Sequence, residues 1–164
     1  MIQQNLVKVG MADLNIAVEG AVLRTTGLGS CVGLTLYDPL VKIAGMAHIM
    51  LPSSEIARDG ALNRAKYADT AVPELLERMA KAGAVPARLQ AKMAGGAQMF
   101  AFAGGSESMR IGLRNVEAIT LTLNSLSIPI VGQDTGGNYG RTIEIDSNDG
   151  MLSVRSVPYG TKEF

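Results

Sequence analysis

Apolar and polar residues alternate along two neighbouring stretches of the chain. Val32, Leu34 and Leu36 interleave with Gly33, Thr35 and Tyr37, and beyond Asp38-Pro39 the period of two returns in Ile43, Ala47, Ile49 and Leu51. Two strands joined by a tight turn are predicted. Pro39 presets the backbone angle for the second position of a type I turn and Asp38 suits the first, which gives a loop over residues 38–41. Such a loop pairs Tyr37 with Lys42 and, counted back along both arms, sets Cys31 directly opposite His48. Directly opposed Cβ atoms lie about 4.5 to 5.5 Å apart, close enough for an imidazole nitrogen to approach a sulfur. The face carrying Val32, Leu34, Leu36, Ile43 and Ala47 is the expected core, and a slip of one residue would turn it outward.

The same reading extends along the chain. Val7, Val9 and Met11 alternate with Lys8 and Gly10, and residues 21–25 form a second extended segment; both are expected to join the sheet of the hairpin. After Leu51-Pro52, the small and polar residues Ser53, Ser54, Asp59 and Gly60 predict a mobile loop beside the His48 strand, bordering a substrate entrance. Residues 64–82 have helical composition, with Pro73 marking a kink or a break into two shorter helices and Gly83 a stop. A strand follows at 88–93, ending at Gly95-Gly96, and 97–108 is either a core-touching loop or a short irregular helix. Leu113, Val116, Ile119, Leu123 and Leu126 recur at the spacing of one helical face over 111–126. Residues 128–131 predict a strand in which Pro129 marks an edge or a start, and 134–140 a loop. The segments 142–146 and 151–157 flank Asn148-Asp149-Gly150, a hairpin signal, and the tail from Pro158 is expected to be loose. Strands outnumber helices and hairpins open and close the chain, so the predicted class is an α+β layered sandwich.

Composition narrows the function classes. The 164 residues suit one domain with its own core, and no repeat, low-complexity run or linker divides 1–164. Lys+Arg and Asp+Glu number 15 each, so the overall charge announces neither nucleic acid nor an anionic membrane as partner. One cysteine cannot make an internal disulfide, and with one histidine it cannot supply the four ligands of a structural zinc site. No metal or organic cofactor is expected. Residues 1–13 lack the charged-then-apolar signal pattern, and no apolar run nears the roughly 20 residues that span a bilayer. A cytoplasmic protein without membrane insertion is expected. Nine methionines against 4% aromatic residues read as substitute core fillers, with an adaptable surface for a helical partner as the alternative.

The residues set opposite each other are the only cysteine and the only histidine. A lone cysteine is more often a small buried hydrophobe than a nucleophile, and a lone histidine can be a core residue bonded to a carbonyl. Their opposition changes that reading. So does the approach to Cys31 through Gly27, Gly29 and Ser30, where the backbone can turn its amides inward and form an oxyanion site around Gly29 and Ser30. The hydroxyl of Thr25 or of Thr26, at the end of the preceding strand, could return to orient the imidazole, and the residues alone do not choose between them. Gly95-Gly96 lacks the following Gly-Lys-Ser/Thr of a phosphate loop, and Asp134-Thr135-Gly136-Gly137 reads as a tight connection.

The run Thr25-Thr26-Gly27-Leu28-Gly29-Ser30-Cys31-Val32, then Asp38-Pro39 and Gly45-Met46-Ala47-His48-Ile49-Met50-Leu51-Pro52, resembles the signature of the CheD family, the chemoreceptor glutamine deamidases of bacterial chemotaxis. Lys66-Tyr67-Ala68-Asp69, Gly95-Gly96-Ala97 with Met99-Phe100, Arg114-Asn115-Val116 and Asp134-Thr135-Gly136-Gly137-Asn138 extend the resemblance over nearly the whole chain. It implies a three-layer α/β/β sandwich with one helical layer on two sheets, and it selects Thr25 over Thr26. It further implies hydrolysis of glutamine side-chain amides in the cytoplasmic helices of chemoreceptors. Cys31 would be the nucleophile, His48 its base and Thr25 the group that orients the imidazole, with no cofactor and with a CheC-type phosphatase as a further partner. Two other readings stand beside it: a non-catalytic module that docks to receptors and the phosphatase, and hydrolysis of methyl esters on receptor glutamates by the same acyl-enzyme route.

Overall fold

The computed structural model describes residues 5–57, 62–99 and 110–164. In chain order the strands and helices are β1 (Leu6–Lys8), β2 (Leu14–Ala17), β3 (Val22–Leu28), β4 (Val32–Asp38), β5 (Ile43–Ile49), α1 (Ala68–Ala82), β6 (Gln90–Gly95), α2 (Ile111–Ser125), β7 (Ile130–Thr135), β8 (Arg141–Asp146), β9 (Leu152–Ser156) and β10 (Gly160–Glu163). They build two five-stranded mixed sheets, one ordered β1-β3-β8-β9-β10 and the other β2-β5-β4-β6-β7. Within them β1 with β3 and β6 with β7 are parallel, the other pairs antiparallel.

Two cores define three layers. Leu75 and Met79 of α1 and Ile119 and Leu123 of α2 pack with Val32, Leu34, Leu36, Ile43, Ala47 and Ile49 on one face of the second sheet. Its other face sends Cys31, Tyr37, Ala44 and Met46 against Leu23, Leu28, Ile143 and Val154 of the first sheet. The arrangement is the expected α/β/β sandwich. Every residue of β4 and β5 is buried, because these strands lie between both cores. No helix among the described residues is long and apolar enough to cross a membrane.

Several elements depart from expectation. β1 and β3 lie in the opposite sheet from the hairpin, and β2, which the alternation did not single out, takes the edge beside β5. Pro73 neither breaks α1 nor divides it. It is exposed, so the one backbone hydrogen bond it removes is lost on the solvent side of a helix anchored by Ala68, Ala71, Val72, Leu75 and Met79. The buried stripe of α2 is Gly112, Asn115, Ile119 and Leu123, while Leu113 and Leu126 are exposed. A side chain at Gly112 would collide with the Gly96 and Ala97 backbone, so the helix rotates its smallest residue onto the sheet. β7 runs on through Asp134 and Thr135, residues expected in a loop. The tail is β10, paired with β9. Ser53 and Ser54 open a short 3-10 turn in which Ser54 donates from its backbone N–H and its hydroxyl to the Asp69 carboxylate. Asp59 and Gly60 of that expected loop, and residues 100–108 of the segment left between loop and helix, lie outside the described residues.

Candidate active site

The hairpin places cysteine and histidine on one face, at a different register from the one expected. Asp38 stays in the strand opposite Ile43 and Gly33 faces His48, so the turn covers 39–42, with Lys42 in the left-handed region at φ 56°. Asp38 is held there by the backbone N–H groups of Leu40 and Val85 and by the Arg88 guanidinium. A turn at 38–41 would have pulled this buried carboxylate away from them. The result is a shift of two residues, which keeps every side chain on its face. Carried one residue past the ladder's end at Val32, this register sets Cys31 diagonal to His48 rather than directly opposite it, and diagonal Cβ atoms in a regular ladder lie within about 7–8 Å. Gly33, between them on the Cys31 side, puts no side chain in the way.

Thr25 arrives from the other sheet. It pairs with Ile143 in β3, and its Oγ1 lies 2.7 Å from His48 Nδ1 across the space between the sheets. Gly33 makes that approach possible, because a Cβ there would run into Ile143 Cδ1. The chain then crosses from β3 to β4 through an irregular register between Thr25 and Leu28, with Gly27 at φ 72°. Thr26 is exposed and turned away, so the structure separates the two threonines that the residues alone left equivalent.

The hydrogen bonds define the imidazole tautomer. Thr25 donates its single hydroxyl proton to the Val9 carbonyl at 2.8 Å. Toward His48 it can therefore only accept, which puts the imidazole proton on Nδ1 and leaves Nε2 with a bare lone pair. Nε2 is buried and has no hydrogen-bond partner among the described residues. Burial holds the His48 imidazole below its ordinary pKa of 6.5. Burial likewise pushes the Cys31 thiol up, against a smaller opposing effect of its own backbone N–H. Both causes favour an uncharged thiol beside an uncharged imidazole. Cys31 keeps 8% of its surface, against 0% for His48 and 1% for Thr25, so it is the least buried residue of the three.

Of the expected oxyanion donors, the Gly29 N–H is engaged by the Gly27 carbonyl at 3.1 Å and the Gly29 carbonyl accepts from Ala97. Ser30 presents its carbonyl to Asn115 Nδ2 at 3.0 Å. Asn115 was missed as a site residue, because the apolar spacing put the buried face at Leu113, Val116, Ile119, Leu123 and Leu126, whereas α2 buries Gly112 and Asn115 beside Ile119 and Leu123. An open cleft of about 540 Å³ reaches the crossing at Gly27 and is lined further by Tyr139, Thr142, Arg155 and Pro158.

A model of the CheD family, described as CheD chemotactic sensory transduction, matches residues 50–156. The chemoreceptor glutamine deamidase CheD of Halalkalibacterium halodurans is 55% identical over 160 residues, covering 98% of this chain and 99% of that protein. The one from Bacillus subtilis is 48% identical over 157 residues, covering 96% and 95%. The probable chemoreceptor glutamine deamidase CheD of Caldanaerobacter subterraneus subsp. tengcongensis is 51% identical over 160 residues, covering 98% of each. The family model begins beyond Thr25, Cys31 and His48, whereas the similarity to the first of these relatives runs through all three.

Proposed function

The chain belongs to the CheD family, and we propose that it hydrolyses glutamine side-chain amides of chemoreceptors to glutamate and ammonia, with Cys31 as nucleophile, His48 as its base and Thr25 holding the imidazole. The observation that carries the reading is the Thr25 hydroxyl, committed to Val9 and so forced to accept from His48 Nδ1. That arrangement reserves Nε2 for a proton transfer, on the face that also bears Cys31.

The reaction follows from these states. Sγ attacks the amide carbon as His48 Nε2 takes its proton, because a thiol raised by burial does not ionise by itself at neutral pH. Negative charge grows on the amide oxygen, within reach of backbone N–H groups at Ser30 and Cys31. The imidazolium then gives its Nε2 proton to the departing nitrogen, ammonia leaves, and a thioester remains on Cys31. A water attacks that thioester while Nε2 takes its proton, and the thiolate recovers the proton as the glutamate carboxyl is released. Burial of His48 keeps its base form available at the start of each of the two attacks.

On the same premise the substrate glutamines lie on receptor cytoplasmic helices, the enzyme works in the cytoplasm, and a CheC-type phosphatase is a further partner. Cys31→Ala is the test. Incubated with receptor cytoplasmic fragments, the wild type should convert glutamine to glutamate by mass spectrometry and release ammonia, and the variant should lose at least about 10³-fold in rate while still binding the fragments. Unchanged receptor modification by the variant would remove Cys31 from the chemistry. Fragments carrying methylated glutamates, assayed in parallel, separate amide from ester hydrolysis.

A further inference from the structure

The β4–β5 ladder ends at Val32 and Ile49, one residue short of Cys31. Beyond it the arms part: Met50 and Leu51 both donate to the Lys66 carbonyl, while the Cys31 carbonyl accepts from Gly96. At this point α2 supplies Asn115, wholly buried, whose Nδ2 donates at 3.0 Å to the Ser30 carbonyl and at 3.0 Å to the Met50 carbonyl. Both partners are acceptors, so the amide orientation is fixed and its two N–H protons are both used. One proton goes to each arm, and the residue bridges the gap where ladder hydrogen bonds have stopped. Its Oδ1 is buried without a partner among the described residues. An unmet buried acceptor is unfavourable, and an apolar residue on this stripe of α2 would avoid it. The two carbonyls it holds are what the position gains in return.

We propose that Asn115 is a positioning residue which, by holding the Ser30 carbonyl in the helical layer, aims the Cys31 backbone N–H at the reacting sulfur and the oxyanion beside it. In a trans peptide the carbonyl of one residue and the N–H of the next point in opposite directions. With the Ser30 carbonyl drawn toward α2, the Cys31 N–H faces the space between the sheets, where the Cys31 side chain packs. That N–H acts on the Cys31 sulfur and favours the thiolate, as this orientation requires. Gly29, whose N–H is engaged by Gly27, cannot take this part. The inference rests on Cys31 as nucleophile.

Asn115→Ala and Asn115→Ser, the latter with a single proton and a shorter reach, test it. Both should lower kcat by about 10²-fold with KM within about twofold, since an oxyanion donor acts in the transition state. Alkylation of Cys31 by iodoacetamide should also move to higher pH in both. A residue that only anchors α2 would lower Tm and leave kcat and the alkylation profile of the folded protein unchanged, and that result overturns the proposal. Should neither variant fold, the wild type decides by NMR. The Cys31 amide proton should shift as the thiol ionises, and a stationary resonance overturns the proposal equally. Alkylation and NMR need no receptor substrate. An active Cys31→Ala enzyme would therefore sink the nucleophile assignment without touching these readouts.

Discussion

A single hydroxyl proton decides what His48 can do. Because Thr25 gives that proton to Val9, it holds Nδ1–H and leaves Nε2 free to act as a base. Thr25→Val keeps the shape and removes both bonds, so the imidazole loses its fixed tautomer and orientation; kcat should fall about 10- to 10²-fold, with most activity kept in Thr25→Ser, measured by ammonia release. A Thr25→Val enzyme as fast as wild type would show that the bond is structural alone. The pH profile follows from burial. A base whose folded pKa is depressed stays unprotonated below its ordinary value, so the acid limb of kcat/KM should have its midpoint below 6.5. A midpoint at or above 6.5 would contradict an uncharged, buried His48.

Between elements, the decisive contact is the close approach of β4 to β3 and β8 at Gly33. Gly33→Ala places a methyl against Ile143 Cδ1 and Leu28 Cδ1, and relief takes either a new Ile143 rotamer within the packed core or a parting of the sheets at the strand that pairs with Thr25. We expect a loss of about 1–3 kcal/mol, read from denaturant midpoints, together with a lower kcat. Full activity in a destabilised variant would separate sheet spacing from the Thr25–His48 bond. The hairpin itself was legible from alternation, as were both helices and the turn at Asp149-Gly150. The register was not. A two-residue shift keeps every side chain on its face, so a pattern of period two does not register it, and what pins Asp38 is Val85 and Arg88, far along the chain. β10 carries Gly160, Thr161, Lys162 and Glu163, all exposed, so nothing in its polarity marks a strand. Cys31 and His48 could be found as the only residues of their kinds. Asn115 was harder to see, because its partners are backbone carbonyls that leave no trace in side-chain pattern.

Across the whole molecule the two sheets are fastened at both ends of β4. At one end Thr25 bonds His48; at the other, the Tyr37 hydroxyl donates to the Ser147 carbonyl at 2.9 Å and Lys92 Nζ donates to the Gly150 carbonyl at 2.8 Å. Gly150, at φ 73°, lies flat against the Tyr37 ring with no room for a side chain, so the β8–β9 turn closes directly over the hairpin. Tyr37→Phe keeps the ring and leaves the buried Ser147 carbonyl without its donor, a loss of about 1–2 kcal/mol. For a chain of this size that lowers Tm by about 2–8 °C. Tyr37 stands six residues from Cys31, about 20 Å along an extended strand. Two separate fastenings predict that the variant, assayed well below its transition, keeps the wild-type kcat. Should kcat fall along with Tm, the sheets would be shown to shift as rigid plates, and the spacing at Thr25 and His48 would depend on the far end as much as on Gly33.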